Sequence, residues 1–275
     1  MRLSPAKRVL LNLVALIYIV VLVFPVVLMF LNAIRTEAEI IQFPVALPHV
    51  VTTENFVEIF RESSFVDNLW NSLSVSAMTV CLTILVAAPA GYAMSRFRFR
   101  GKKLFSAWLL ATQAFPGIIM VLGVFMLFKT YGLLNTRLGL VIMHTSFSVP
   151  FCVWLLKGYF DGIPAALEEA AMIDGCTHLA ALVRIILPLS VPGLLAVATF
   201  SFLLSWNEFF FSLVINRAER LFTLPVFLSR FLGVGGMVRW GPLSAAALLA
   251  TIPALVLFML GQRYLVSGLT GGAIK

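Results

Sequence analysis

This sequence predicts an all-α integral membrane protein: six transmembrane helices, with a helix–turn–helix on the cytoplasmic side between the fourth and fifth. Three observations carry that prediction. Of its 275 residues, 61% are hydrophobic and 12% charged, with mean hydropathy +1.01, whereas soluble domains run at about 45–50% apolar and about 25% charged. Six apolar stretches come close to the roughly 20 residues that a spanning helix needs. A single polar island, residues 164–188 (PAALEEAAMIDGCTHLAALVRIILP), separates the last two stretches from the first four. The chain reads as one transmembrane domain over 1–275 rather than two soluble ones.

The first span is expected at 9–34. Arg2, Lys7 and Arg8 precede it, as they would a signal peptide. A signal core, however, is at most about 15 residues long, and this run is far longer. No small-x-small cleavage site stands near its end, so it reads as a retained helix. The next three spans fall at 70–94, 104–128 and 138–156. The fifth, 189–215, is interrupted by Trp206-Asn207-Glu208. The sixth, 243–260, is short, and Pro253 is placed to kink it. Pro89, Pro116, Pro150 and Pro192 need neighbouring helices to satisfy the backbone groups they free.

Lysine and arginine placement sets the orientation. The N-terminal tail and the 95–103 loop (Arg96, Arg98, Arg100, Lys102, Lys103) are basic and lie on one side. With six spans, both termini and the 157–188 loop share that cytoplasmic side, which holds twelve Lys/Arg against four acids; the outer side holds eight against seven. The outer segments are 35–68, acidic with Phe43-Pro44 and Leu47-Pro48, the short 129–137 turn, and 216–242, which carries four arginines and Gly233, Gly235 and Gly236. The net charge of +8 therefore reports orientation beside anionic lipid, and no basic stretch interleaved with aromatics suggests nucleic acid. Cys81, Cys152 and Cys176 form no CxxC and support neither a disulfide framework nor a zinc site.

The island has its own local logic. Pro164 suits a first helical turn, where its missing N–H has no intrahelical partner. Glu168 and Glu169 sit early in that helix, where the dipole favours negative charge. Leu167, Ala170 and Ala171 share a face by spacing, Asp174 follows, and Gly175 can take the positive φ that ends a helix. Thr177 can cap a second helix whose apolar stripe is Leu179, Leu182, Val183 and Ile186, and Pro188 stops it at the membrane edge. Small residues at such a corner let another protein's backbone approach. The competing reading is an amphipathic loop packed on the chain's own spans.

The spacing Glu169-Ala170-Ala171, three residues, Gly175, nine residues, Ile185, one residue, Leu187-Pro188 resembles the EAA loop of ABC-importer permeases. Three further stretches resemble the carbohydrate branch of that family, of maltose-transporter type. They are Ser205-Trp206-Asn207-Glu208-Phe209, the LFTLPVFL run of 221–228, and the C-terminal 262–275 with QRYLVSGLT followed by GAIK. One departure is Cys176, where the family often has Ala.

The resemblance implies a subunit that moves solute in the cytoplasmic (inner) membrane of a prokaryote and does no covalent chemistry. It implies a second permease subunit, commonly a different chain, two ATPase subunits and an extracytoplasmic solute-binding protein that delivers sugar. Glu168, Glu169, Ala170, Ala171, Asp174, Gly175, Ile185, Leu187 and Pro188 would couple the chain to the ATPase. ATP binding would drive alternating access because it prefers the closed ATPase pair. The chain has no GxxxxGK[ST] loop to cradle phosphate, so it is expected to hold no cofactor, and ATP and Mg belong to the ATPase partner.

Glu208 is the one acid well inside an apolar run, where charge is costly and usually functional. With Trp206 and Asn207 it either contacts solute along the path or acts as glue between helices. His144 has no acid or histidine spaced near it in sequence and is expected to make a structural hydrogen bond. The basic 96–103 loop serves orientation, or else touches the ATPase. An ABC permease for a non-sugar solute shares the EAA loop and is opposed only by the C-terminal and Trp206-Asn207-Glu208 stretches. A secondary transporter would show more spans, more buried acids and internal repeats. An intramembrane enzyme would need paired acids, a histidine cluster or a Ser/His pair, and none is visible.

Overall fold

The structure is a computed structural model that describes residues 5–62, 64–233 and 237–271, with side chains at 7–62, 64–233, 237–259 and 262. No strand occurs among the described residues. The first helices are α1 (Pro5–Ala33), α2 (Glu37–Gln42), α3 (Glu54–Arg61) and α4 (Phe65–Arg96). Then come α5 (Lys102–Ala114), α6 (Gly117–Thr130), α7 (Arg137–Asp161), α8 (Ala166–Ile173) and α9 (His178–Ala181). A π turn, Leu182–Ile186, leads into α10 (Leu187–Leu189), followed by α11 (Val191–Trp206), α12 (Phe210–Ile215), α13 (Leu224–Ser229) and α14 (Trp240–Gly271).

Among the described residues, four helices are long and apolar enough to cross a membrane: Lys7–Ala33 of α1, all of α4 and α7, and Trp240–Met259 of α14. The span expected at 104–128 is broken instead, while the one expected at 189–215 begins at a sharp bend from the helix before it and is interrupted where expected, between α11 and α12. α5 and α6 meet at a 98° bend, and the 178–189 and 191–206 helices meet at 82°. Proline is the cause in the first case. Phe115, just before Pro116, is extended, with φ -77° and ψ 125°. A following proline disfavours the helical region for the residue before it. In the second case, Ser190 leaves helical geometry with φ -97° and ψ 16°. Pro192 then opens α11, in the first turn where proline is tolerated. Pro89, Pro150 and Pro253 lie inside α4, α7 and α14. α7 runs to Asp161 and α14 to Gly271, both beyond their expected ends. The terminal 272–275 of the predicted C-terminal signature, and Gly235 and Gly236, fall outside the described residues.

Two compact units are distinguishable: Met1–Phe65 with Phe227–Ile252, and Val66–Val226 with Pro253–Lys275. In the first, Asn55 is buried and its Nδ2 donates to Ala33 O and Arg35 O. It thereby satisfies a carbonyl that α1 leaves open at its end, Ala33 O, and one in the link that follows, Arg35 O. Arg35, fully buried, donates from Nη2 to Glu39 O and Phe43 O at the end of α2. The Glu37 carboxylate accepts from Trp240 N–H and Gly241 N–H, capping α14.

In the second unit a core of Ala88, Tyr92, Cys152, Leu156, Phe160, Leu182, Ile186 and Val197 joins α4, α7, the π turn and α11. Cys152 is buried, whereas Cys81 is exposed. A second cluster, including Val75, Phe128, Leu140, Met143, Phe211 and Ile215, joins α4, α6, α7 and α12. α11 approaches α7 so closely at Gly193 that a Cβ there would stand 2.6 Å from Tyr159 Cγ. Close approach through small residues is how helices pack where lipid removes the hydrophobic drive.

Candidate functional site

The island folds as α8, a glycine corner and a second helix. Gly175 has φ +87°. Cys176 N–H donates to Ala171 O at 2.9 Å and Gly175 N–H to Met172 O at 3.1 Å. These are the paired bonds of a Schellman stop. Thr177 Oγ1 accepts from Ala180 N–H at 3.2 Å. It starts the next helix as its cap. That helix widens at once into the π turn, where Leu187 N–H reaches back five residues to Leu182 O. Pro188 follows directly. It has no N–H to give to the preceding turn, and it lies one residue before the helix ends at Leu189.

The faces differ from those expected by spacing. In α8 the buried residues are Glu168 and Ala171, while Leu167 and Ala170 are exposed. In the second helix Ala181, Leu182 and Ile186 are buried, with Leu179 and Val183 exposed. Two causes account for this. The wider π turn shifts the inward face away from a 3.6-residue stripe, and a buried ion pair fixes the roll of α8. Glu169, Ala170, Asp174, Gly175 and Pro188 are exposed, and Ile185 and Leu187 are half-buried against the core. Ile173, at the tip beside the turn, is 86% exposed.

The ion pair comes from the end of α4. Glu168 accepts from Arg96 Nε and, at 2.8 Å, from Tyr92 OH. Arg96 Nη2 donates to Ile163 O at 2.9 Å. One residue earlier, Ser95 Oγ donates to Asp161 Oδ1 at 2.6 Å, and Lys157 Nζ donates to the other oxygen of Asp161. The last turn of α4 therefore holds both the end of α7 and the start of α8.

The second expected group lies where α11 ends. Trp206 is buried and stacks on Phe202, with ring centroids 5.4 Å apart and planes 12° apart. Asn207 is exposed, and its Nδ2 donates to Leu203 O. Glu208 caps α12 by accepting from Phe211 N–H (2.7 Å) and Ser212 N–H (2.9 Å). Its Oε2 also lies 3.3 Å from His144 Nε2, and His144 Nδ1 lies 2.7 Å from Ser205 Oγ. His144 therefore makes the structural hydrogen bond expected of it and also has an acidic partner that spacing in the sequence does not offer. The two are 64 positions apart in the chain and meet only because α7 packs on α11 and α12. At the α5–α6 elbow a cavity of about 530 Å³ opens against α7, lined in part by Trp108, Gln113, Phe115, Ser146 and Phe147.

Residues 84–271 match the family described as the inner membrane component of binding-protein-dependent transport systems. This chain belongs to that family. The diacetylchitobiose uptake system permease protein DasC of Streptomyces coelicolor is 37% identical over the whole of both chains. The trehalose/maltose transport system permease protein MalG of Thermococcus litoralis is 34% identical over all of this chain and 99% of its own. Among solved structures, a chain of a bacterial ABC transporter that imports alginate superposes with a TM-score of 0.83 at 24% identity, covering 96% of this chain and 99% of that one.

The permease is a transport subunit, and of the residues expected to couple it, Glu169, Ala170, Asp174 and Gly175 are exposed at the corner and Pro188 further along the chain, whereas Glu168 and Ala171 are buried and Ile185 and Leu187 are half-buried against the core. Sequence reasoning missed Arg96 and Tyr92 because the arginine was absorbed into the orientation charge of 95–103. Their spacing was a usable signal: two polar side chains one helical turn apart at the end of an apolar span share a face and need a partner. Ile173 was missed too, since spacing alone does not reveal that a helix-end isoleucine beside Asp-Gly points outward.

Proposed function

We propose that this permease imports a sugar or oligosaccharide, forming the translocation path with a second permease subunit and docking two ATPase subunits through residues 164–188. An extracytoplasmic binding protein delivers the solute, ATP and Mg stay on the ATPase, and the chain crosses the membrane six times with both termini in the cytoplasm. The observation that carries the reading is the corner at 169–175. Glu169, Ala170, Ile173, Asp174 and Gly175 are all exposed on a short helix with a sharp stop, held from behind by the contacts of Arg96 and Tyr92 with Glu168. An exposed isoleucine rimmed by acids fits the centre of a protein interface better than a solvated loop. The sugar class follows from the relatives named above, whose printed names include diacetylchitobiose, trehalose and maltose.

The α5–α6 elbow is the place proposed for solute contact. Rings such as Trp108 and Phe115 and the amide of Gln113 offer a sugar the stacking and hydrogen bonds that it uses. The deciding experiment is purification of the tagged chain from its native membrane. A second permease and an ATPase should accompany it and be lost on Gly175→Arg or Glu169→Lys, with the spans still folded. A chain that purifies alone and drives uptake into vesicles without ATP would overturn the reading.

A further inference from the structure

We infer that Arg96, Tyr92 and Glu168 form an internal strut that carries movement of the coupling corner into α4, so that Glu168 is a positioning residue and not part of the docking surface. The inference rests on the reading of 164–188 as the ATPase-coupling loop. Two neighbouring glutamates divide the work. Glu168 is 4% exposed and accepts from two side chains of α4, whereas Glu169 is exposed and has no side-chain hydrogen bond among the described residues.

α8 has eight residues, too few to hold a helix without tertiary support. Its support is directional. The planar guanidinium of Arg96 grips Glu168 through Nε and the carbonyl of Ile163 through Nη2. One rigid, forked side chain thus fixes both the entry to α8 and α8 itself. Tyr92, one turn back on α4, takes the second oxygen of Glu168 and is itself buried in the core against Phe160. A push on the corner therefore reaches α4 through three polar contacts of fixed geometry rather than through sliding apolar surface. Stability alone does not explain such a pair, since replacing a buried ion pair with apolar groups of similar volume is often neutral or stabilising. Its contribution here is a fixed angle between the corner and the span.

The test uses the complete complex in vesicles, with ATP hydrolysis and solute uptake measured together. The variants are Arg96→Met with Glu168→Met, the charge swap Arg96→Glu with Glu168→Arg, and Tyr92→Phe. The apolar pair should keep its ATPase subunits and hydrolyse ATP while solute moved per ATP falls about tenfold, inside the roughly 5–150-fold span of coupling energies between sites. The swap rebuilds only the ion pair, since a carboxylate at 96 cannot donate to Ile163 O, and should recover only part of that loss. Tyr92→Phe, the variant least able to disturb folding, should lower the ratio by about threefold, the size of one hydrogen bond. Unchanged solute per ATP in the apolar pair or in Tyr92→Phe overturns the inference. So does loss of the ATPase from an apolar-pair variant of unaltered thermal stability, because that would put Glu168 on the docking surface. Failure of the underlying functional reading is visible separately, as a wild-type chain that retains no ATPase.

Discussion

His144 and Glu208 stand 3.3 Å apart, Nε2 to Oε2, and tie α7 to the break between α11 and α12. Ser205 holds the other ring nitrogen of His144, and Ser76 on α4 donates to Ser205. One buried line of polar groups thus links α4, α11, α7 and α12. Interhelical polar pairs in membrane proteins average about 0.6 kcal/mol and reach about 1.7 kcal/mol. Glu208 also caps a helix, a contribution that falls in its single substitution and cancels from the pairwise term. A double-mutant cycle of His144→Gln and Glu208→Gln, read by reversible unfolding in mixed micelles, should give a coupling of about 0.6–1.7 kcal/mol. Additive single effects would mean that the two side chains do not share an energetically meaningful contact.

Gly193 has a different kind of neighbour. The ring of Tyr159 occupies the space a side chain would need, with Cγ 2.6 Å and Cδ2 2.8 Å from a notional Cβ. A valine at this position must push α11 off α7 or force the ring from its rotamer. Overpacking of this type costs about 1–3 kcal/mol. Gly193→Val should lower the midpoint of thermal denaturation in detergent. Combined with Tyr159→Ala it should lower it by less than the sum of the two single changes. A Gly193→Val protein as stable as the parent would show that α7 and α11 are not in close packing here.

At the corner, Gly175 sits at φ +87° with no atom within 4 Å of a notional Cβ. Space is open there, so only backbone strain opposes a substitution. Left-handed geometry costs an L-residue about 1–2 kcal/mol, and asparagine tolerates it better. Retention of the ATPase on purification should therefore rank glycine above asparagine above alanine at 175. Ile173→Asp, which strains nothing, should reduce retention at least as much as Gly175→Ala if the exposed isoleucine is an anchor. Full retention by Ile173→Asp would remove it from the interface.

Sequence legibility followed the range of the interactions. The glycine stop at 175 and the Thr177 cap were readable because each acts within a few residues of itself. The interruption at Trp206-Asn207-Glu208 was readable because polar residues stand out in an apolar run. The elbow at Phe115-Pro116 was not, since proline is tolerated inside α4 and α7 at Pro89 and Pro150 and the same residue type gave opposite outcomes. What separates the cases is not local to the proline, since its effect on the residue before it is the same in all three. The inward turn of Glu168 was hidden for the same reason. Its partners Arg96 and Tyr92 lie 72 and 76 positions away, and the π turn that shifts the buried face has no periodicity of its own to detect.

Glu39 gives the first unit a pH dependence of defined sign. The backbone N–H of His49 donates to its Oε1 at 2.8 Å, the His49 ring stands 3.0 Å away, and the buried Arg35 adds its charge at 3.4 Å. Hydrogen bonds from the His49 backbone and ring lead, with the Arg35 charge a smaller aid, in holding this carboxyl below its ordinary value of 4.5. A carboxylate whose folded value is lowered contributes stability that is present above its unfolded value and is lost as pH falls through the folded one. The chain between Phe43 and His49 should accordingly stay fastened at neutral pH and loosen only below about 4.5. The amide of His49 reports this directly, since Glu39 is its acceptor. Its hydrogen-exchange protection factor should drop as pH falls below that value in the parent and be low throughout in Glu39→Ala. A protection factor in the parent that is flat across the range would mean the turn is held by something other than this carboxylate.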